Sequence, residues 1–342
     1  MTSMAYVGLD VHKKTIAFCV KEQNGAVVDH GTIRATRLDL DAWADSLDRP
    51  WTGAMEATLF TGWIYDHLRP RASSLKVAHP LMLRAIAASK KKNDKVDAGK
   101  IADLLRCNLL PECYMAPVGI RRLRRALRYR NLIVRQAVKM KNKTAGLLME
   151  IGAEYNKKRL HGKGYFAALL DSLNEIDESV IDLLRISRAT VEMFQEIQRR
   201  LLDGLRGEPI LRRRVERLMT IPGVGEVTAL TWALEIGPVQ RFGTIGQAAS
   251  YCGLTSAQNS SAGKDKRSPI SKQRNRHLQT ILIEAAKLAP RWNAQLAAVH
   301  ERELQRGNRN RATLAVARKL VAYLMAVDKS GKDFQLRAVD RM

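Results

Sequence analysis

The 342-residue chain is short of cysteine, of acids and of long apolar runs, and each shortage excludes something. Its four cysteines, Cys19, Cys107, Cys113 and Cys252, are too widely spaced for a C-x-x-C zinc pair. Neither a zinc site nor a disulfide framework is expected, and the four read as reduced thiols in or near cores. No stretch approaches the roughly 18 consecutive apolar residues of a spanning helix. The opening MTSMAYVGLD runs directly into a strand pattern, without the charged-then-apolar texture of an export signal. Acids are scarce relative to bases, with 34 Asp and Glu against 58 Lys and Arg, for a formal charge of +24. An excess of that size points to a polyanionic partner, nucleic acid ahead of a membrane surface. The expected location is the cytoplasm, in association with the nucleoid.

Hydrophobic residues make up 46% of the chain, enough for real cores, and the length suggests two or three units. Residues 6 to 35 alternate apolar and polar positions over three short runs, with Asn24-Gly25 as a turn between the second and third. A three-strand meander is expected. Helical LDLDAWADSL, a short apolar run TGAMEA, helical GWIYDHLR and strand-like LKVAH follow, the last closed by Pro80. Residues 93 to 107 return to helical spacing, with Val96, Ile101, Leu104 and Leu105 available for one face. Strands, then helices alternating with strands, give an α/β domain with a mixed sheet.

From about residue 118 the texture changes. Ile120, Leu123, Leu127, Val134 and Val138 recur at helical spacings. Between them stand Arg121, Arg122, Arg124, Arg125, Arg128, Arg130, Arg135, Lys139, Lys141 and Lys143, with no acid among them. A solvated helix face is one reading. The other is a phosphate-binding face, because like charges at i,i+4 cost about 0.2–0.5 kcal/mol each without a counter-charge. Leu173, Ile176, Val180, Leu183, Phe194, Ile197 and Leu201 then step by threes and fours, interrupted by Ser187 and Thr190, as in a coiled-coil seam or a buried helix of a monomeric bundle.

Four acids stand out against the basic background. Asp94 and Asp97 fall about one turn apart on a single helix, where they repel unless a hard cation with oxygen ligands lies between them. The plainer alternative is an N-cap and a first-turn acid favoured by the helix dipole. Asp10 interrupts the apolar strand YVGLDV, and Glu56 ends the run TGAMEA; each needs a partner or an ion. An acid in strand one, an acid ending a later strand and a pair on a helix is the order of the ribonuclease-H-like nucleases. There the carboxylates hold two magnesium ions about 3.5–4 Å apart.

Beyond Gly207 and Pro209, LMTIPGVGEVTAL places Gly223 and Gly225 in a turn between two helices, a helix-hairpin-helix-like arrangement whose backbone N–H groups suit phosphate. A plain helix connection is the alternative. The polar segment 255–276 carries Ser260 and Ser261 with Lys264, Lys266, Arg267, Lys272, Arg274 and Arg276, and reads as a basic phosphate-binding loop leading into a helix near Arg276. No general base stands beside these serines.

Taken together, YVGLDVHKKT, AMEAT, KNDKVDAGKIADLL, IPGVG and YCGLTSAQNSSAGK with ISKQRNRHL resemble the DEDD transposases of the insertion-sequence one-ten family. The resemblance covers most of the chain and preserves motif order. It implies a RuvC-like domain over 1–112, a basic helical and coiled-coil arm over 113–210 and a mainly helical, serine-bearing transposase domain over 211–342. It also implies that Asp10, Glu56, Asp94 and Asp97 hold Mg²⁺ and that Ser261 forms a covalent link to DNA. Implied partners are donor and target duplexes, a noncoding bridge RNA that guides them, and further copies of the chain, as a dimer that assembles to a tetramer. Two rivals remain: a RuvC-like junction resolvase or strand-transfer nuclease with no covalent serine step, and an architectural nucleic-acid-binding protein.

Overall fold

The alternating start folds as a meander of β1 (Ala5–Val11), β2 (Thr15–Lys21) and β3 (Val27–Arg34), with Gly25 at φ +94° in the expected turn. The computed structural model describes residues 3–86, 93–173, 176–261 and 264–335; at residues 85, 257–261 and 264–268 it describes the backbone. By its contacts the chain divides into two compact units, residues 1–119 and 120–342.

In the first unit α1 (Arg37–Asp45), β4 (Trp51–Glu56), α2 (Thr61–Leu68), β5 (Ser74–Ala78), α3 (Pro80–Ile86) and α4 (Asp94–Arg106) follow the meander. The sheet order is β3-β2-β1-β4-β5, antiparallel within the meander and parallel from β1 through β4 to β5. This mixed α/β sheet is consistent with a ribonuclease-H-like domain. Strand parity sorts its two faces. Val7, Leu9 and Val11 of β1 and Met55 of β4 enter a core with Leu40 and Trp43 of α1 and Ile64 and Leu68 of α2. Trp43 packs between Phe18 and Trp51 there, with ring centroids 5.5 and 5.6 Å away. The opposite face takes α4, whose Ala98, Ile101, Ala102 and Leu105 are buried. Val96, expected on that buried face, is instead exposed, because it stands two residues before Ala98 and so about half a turn round the helix. Gly8 sets how close α4 comes: a Cβ at Gly8 would stand 2.0 Å from the Ala98 carbonyl oxygen and 2.6 Å from the Ala102 nitrogen. The helix backbone therefore lies directly on β1.

The second unit opens with α5 (Val118–Glu150), which continues through α6 (Lys163–Asp171) to α7 (Glu178–Arg206). The far ends of α5 and α7 share a small core with α6, built from Leu147, Leu148, Phe166, Leu169, Ile181 and Leu184. At the other end Leu123, Leu127 and Leu205 join the main core. That core is formed with α8 (Pro209–Met219), α9 (Glu226–Glu235), α10 (Ile245–Tyr251), α11 (Arg276–Leu288), α12 (Ala294–Gln305) and α13 (Arg309–Ser330). Inside it Asp328 takes Arg214 bidentately at 2.8 and 2.6 Å and the Trp232 Nε1 at 2.9 Å.

The apolar seam expected from the sequence is met in part: Leu173, Ile176 and Val180 pack against the small core, and Phe194, Ile197 and Leu201 are half-buried. α7 buries Ile181, Leu184, Ser187, Val191 and Leu205, and Leu183 is 49% exposed. α6 ends at Asp171, and Asp177 begins α7 by accepting from the Ser179 N–H, so the seam runs across a break between two helices. The basic segment 255–276 is also more ordered than expected, with a two-stranded hairpin of β6 (Ser256–Ser261) and β7 (Lys264–Ile270) ahead of α11. Of the cysteines, Cys19 and Cys252 are buried but Cys107 is exposed. Among the described residues no helix is long and apolar enough to cross a membrane.

Candidate active site and nucleic-acid surface

Period-two geometry gives Asp10 the same face of β1 as Gly8, the face on which α4 lies. Leu9 pairs with Met55 across β1 and β4, so Asp10 and Glu56 are neighbours one position further along, on that same face. The start of α4 is capped by Asn93, whose side chain accepts from the Val96 N–H at 3.0 Å. Asp94 is therefore not the N-cap, and its carboxylate is available to the sheet. Its Oδ1 lies 3.5 Å from His12 Nε2, and Asp10 Oδ2 lies 3.3 Å from the same nitrogen. These three donors stand within 4.8 Å of one another. Asp97 and Glu56 lie outside that tight group, and Asp97 pairs with Lys100 at 3.5 Å.

Burial pushes the Asp10 carboxyl above its usual range; His12 opposes this, and Asp94 and Asp97 add to it by repulsion. Two oxygens and an imidazole nitrogen converging beside a partly desolvated carboxylate make a donor set suited to a divalent cation. His12 was not singled out in the sequence. The signal was there, since Asp10-x-His12 places both on one strand face two residues apart.

The cations of α5 fall into two sets. At about 100° per residue, Arg121, Arg125, Arg128, Arg135, Lys139 and Lys143 share one stripe opposite the buried Leu123, Leu127 and Ala137. From Arg121 to Lys143 the stripe runs about 33 Å, close to one turn of duplex. Of the others, Arg122 and Arg124 bind groups of the protein itself. Arg122 binds Glu208 at 2.7 Å, Arg124 donates to the Leu234 carbonyl, and Lys141 is half-buried. Arg128 belongs to both sets, because it is 45% exposed and binds Glu235 bidentately at 2.7 and 2.8 Å.

Gly223 has φ +92°, and a Cβ there would meet Ala289 at 2.5 Å, so its glycine is required for packing as well as for the turn. Gly225 begins α9 with no side-chain cap, which leaves the first N–H groups of that helix open. Lys272, Arg274 and Arg276 are exposed beyond the hairpin. The side chains of Ser260, Ser261, Lys264, Lys266 and Arg267 lie outside the described residues.

Residues 7–152 match the DEDD transposase model of the IS110 type, and residues 215–301 match the model described as Transposase IS116/IS110/IS902 family. Along nearly its whole length the chain is similar to the transposase for insertion sequence element IS1328 of Yersinia enterocolitica. Identity is 24% over 347 residues, covering 98% of this chain and 99% of that protein. It is 25% identical to the transposase for insertion sequence element IS1111A of Coxiella burnetii, over 96% of this chain and 90% of the relative. A probable family 20 transposase of Pseudomonas aeruginosa is also 25% identical, over 81% and 84%.

Proposed function

The chain belongs to the DEDD transposases of the IS110/IS116/IS902 group and acts in DNA transposition, and from that premise we propose a specific chemistry for it. Asp10, Glu56, Asp94 and Asp97 hold magnesium, with His12 beside them, and Ser261 is the nucleophile. The observation that carries this reading is the convergence of Asp10, His12 and Asp94 on one sheet face, in a protein whose net charge is +24. When bound there, the cation polarises the scissile phosphate and neutralises charge developing on it. The chain supplies the rest.

Ser261 Oγ forms a bond to phosphorus as one phosphodiester P–O bond breaks. The serine proton is lost, and the departing sugar oxygen gains one. Attack by a hydroxyl of the new strand reverses these changes, releases the serine and joins the strands. The stripe on α5 and the open start of α9 grip backbone phosphates without reading bases. Choice of sequence falls to a guide RNA that pairs with donor and target DNA, in a dimer that assembles to a tetramer.

Denaturing electrophoresis of reactions with DNA carrying the element's ends tests the serine. Wild type is expected to trap a covalent protein–DNA adduct, and Ser261→Ala to lose it while still binding DNA. An adduct that persists in Ser261→Ala removes this serine. Cleavage by the wild type without any adduct favours the resolvase chemistry instead.

A further inference from the structure

Glu235 is 1% exposed at the last position of α9, yet it is ionisable, and the chemistry proposed above gives it no task. Its partners lie on three different elements. Oε1 and Oε2 accept from Arg128 of α5, Oε2 also accepts from Asn275 Nδ2 at 2.9 Å, and its backbone carbonyl accepts from Tyr251 Oη at 3.3 Å. Burial alone would raise this carboxyl, but the bonds from Arg128 and Asn275 hold it below its usual range, as an anion.

Tyr251 and Asn275 flank the hairpin of β6 and β7. Asn275 N donates to the Tyr251 carbonyl at 2.9 Å, closing the two stems on each other. Asn275 Oδ1 meanwhile caps α11 by accepting from the N–H groups of His277 and Leu278. The entering strand is held at three further carbonyls. Gly253 O accepts from the buried Gln279 at 2.6 Å, Leu254 O from Arg318 at 2.7 Å and Thr255 O from Ser271 N at 3.0 Å. The root of the hairpin is thus fixed from both sides, and through Asn275 and Arg128 Glu235 ties that root to the cationic helix.

We propose that Glu235 is a positioning residue for the serine-bearing hairpin, holding its root against α5 through Asn275 and Arg128 so that nucleophile and bound backbone keep one geometry. This rests on the reading of Ser261 as the nucleophile. Misplacing a reacting group by about 1 Å can cost on the order of a hundredfold in rate. The function of the clamp is therefore separable from its contribution to folding.

Asn275→Ser makes that separation, because serine still caps α11 but lacks the amide that reaches Glu235. With the full chain and element-end DNA, it is expected to keep the melting temperature and DNA affinity of the wild type. Its rate of adduct formation at saturating DNA should fall about 10- to 100-fold. Hydrogen exchange should quicken at residues 251–255 and 271–275. Asp328→Asn serves as the control, lowering the melting temperature by breaking the Arg214 and Trp232 contacts while sparing the saturated rate. An unchanged rate and unchanged exchange in Asn275→Ser would overturn the proposal, as would a rate loss in Asp328→Asn of equal size. Should wild type join strands without an adduct while Asn275→Ser slows the joining, the serine assignment fails and the positioning role stands.

Discussion

Two long helices of the second unit, α5 and α7, differ mainly in how their charges are satisfied. In α7 the arginines find acids nearby: Arg185 takes Glu178 and Asp182, Arg188 takes Glu192, and Arg199 and Arg200 share Glu196. Arg206 reaches Asp203 and Glu226. In α5 the sole acid is Glu150, at its last position. Among the described residues no ion pair holds Arg125, Arg135, Lys139 or Lys143. Like pairs such as Arg135/Lys139 and Lys139/Lys143 cost together about 0.4–1 kcal/mol. On the proposed function that face is where the backbone of DNA supplies the missing counter-charge. On the same proposed function the carboxylates of the first unit are the mirror case, an acidic group whose counter-charge would be a cation.

The largest effect should come from the acidic side of this contrast. Asp10→Asn or Asp94→Asn is expected to lower strand cleavage on the order of 10²–10³-fold, the scale of losing one charge-stabilising group at a reacting centre. Because burial and repulsion by Asp94 and Asp97 oppose the charge on Asp10, and Asp94 is largely exposed, neither variant should melt lower than wild type. A clear fall in melting temperature would show that these acids serve the fold.

Next in size is the basic side. Replacing Arg125, Arg135 and Lys139 together by glutamine should reduce the slope of log affinity against log salt by about 2.7, from three contacts at about 0.9 each. The same change at Arg185, Arg199 and Arg200 of α7 should leave the slope unaltered. Equal changes in the two helices would erase the distinction between them.

The smallest effect is on stability against pH. Glu235 is held below its ordinary value of 4.5, so its contribution is present above about that pH and is lost as pH falls through its lower folded value. Between about pH 5 and pH 3 the melting temperature of Glu235→Gln should fall less steeply than that of wild type. Parallel slopes would mean that Glu235 is not held as an anion.

Much of the first unit could be read from the sequence because its signals are local. Alternation marked β1 to β3, Asn24-Gly25 marked the turn, and short apolar runs marked β4 and β5. The acids Asp10 and Glu56 stood out because a charge breaks an apolar strand. What escaped depends on distant partners. His12 acquires meaning only when Gly8 lets α4 lie on β1 and brings Asp94 across. Glu235 reads as an ordinary helix-ending acid until Arg128, about a hundred residues earlier, and Asn275, forty later, close on it. The strands β6 and β7 were hidden because SAQNSS and KDKRSPI lack apolar alternation, and pairing between their backbones leaves no such trace. The seam of α7 is legible only in part: Val180 packs against the small core, but the next burial falls on Ile181 and Leu184 and leaves Leu183 exposed.

The most direct measurement is a calorimetric titration of Mg²⁺ and Mn²⁺ into the full-length protein, wild type beside Asp10→Asn and Asp94→Asn. Saturable binding by the wild type, lost or strongly weakened in both variants, is the expected result. Binding of equal strength in all three, or none in the wild type even with element-end DNA present, would contradict a cation site built from these carboxylates.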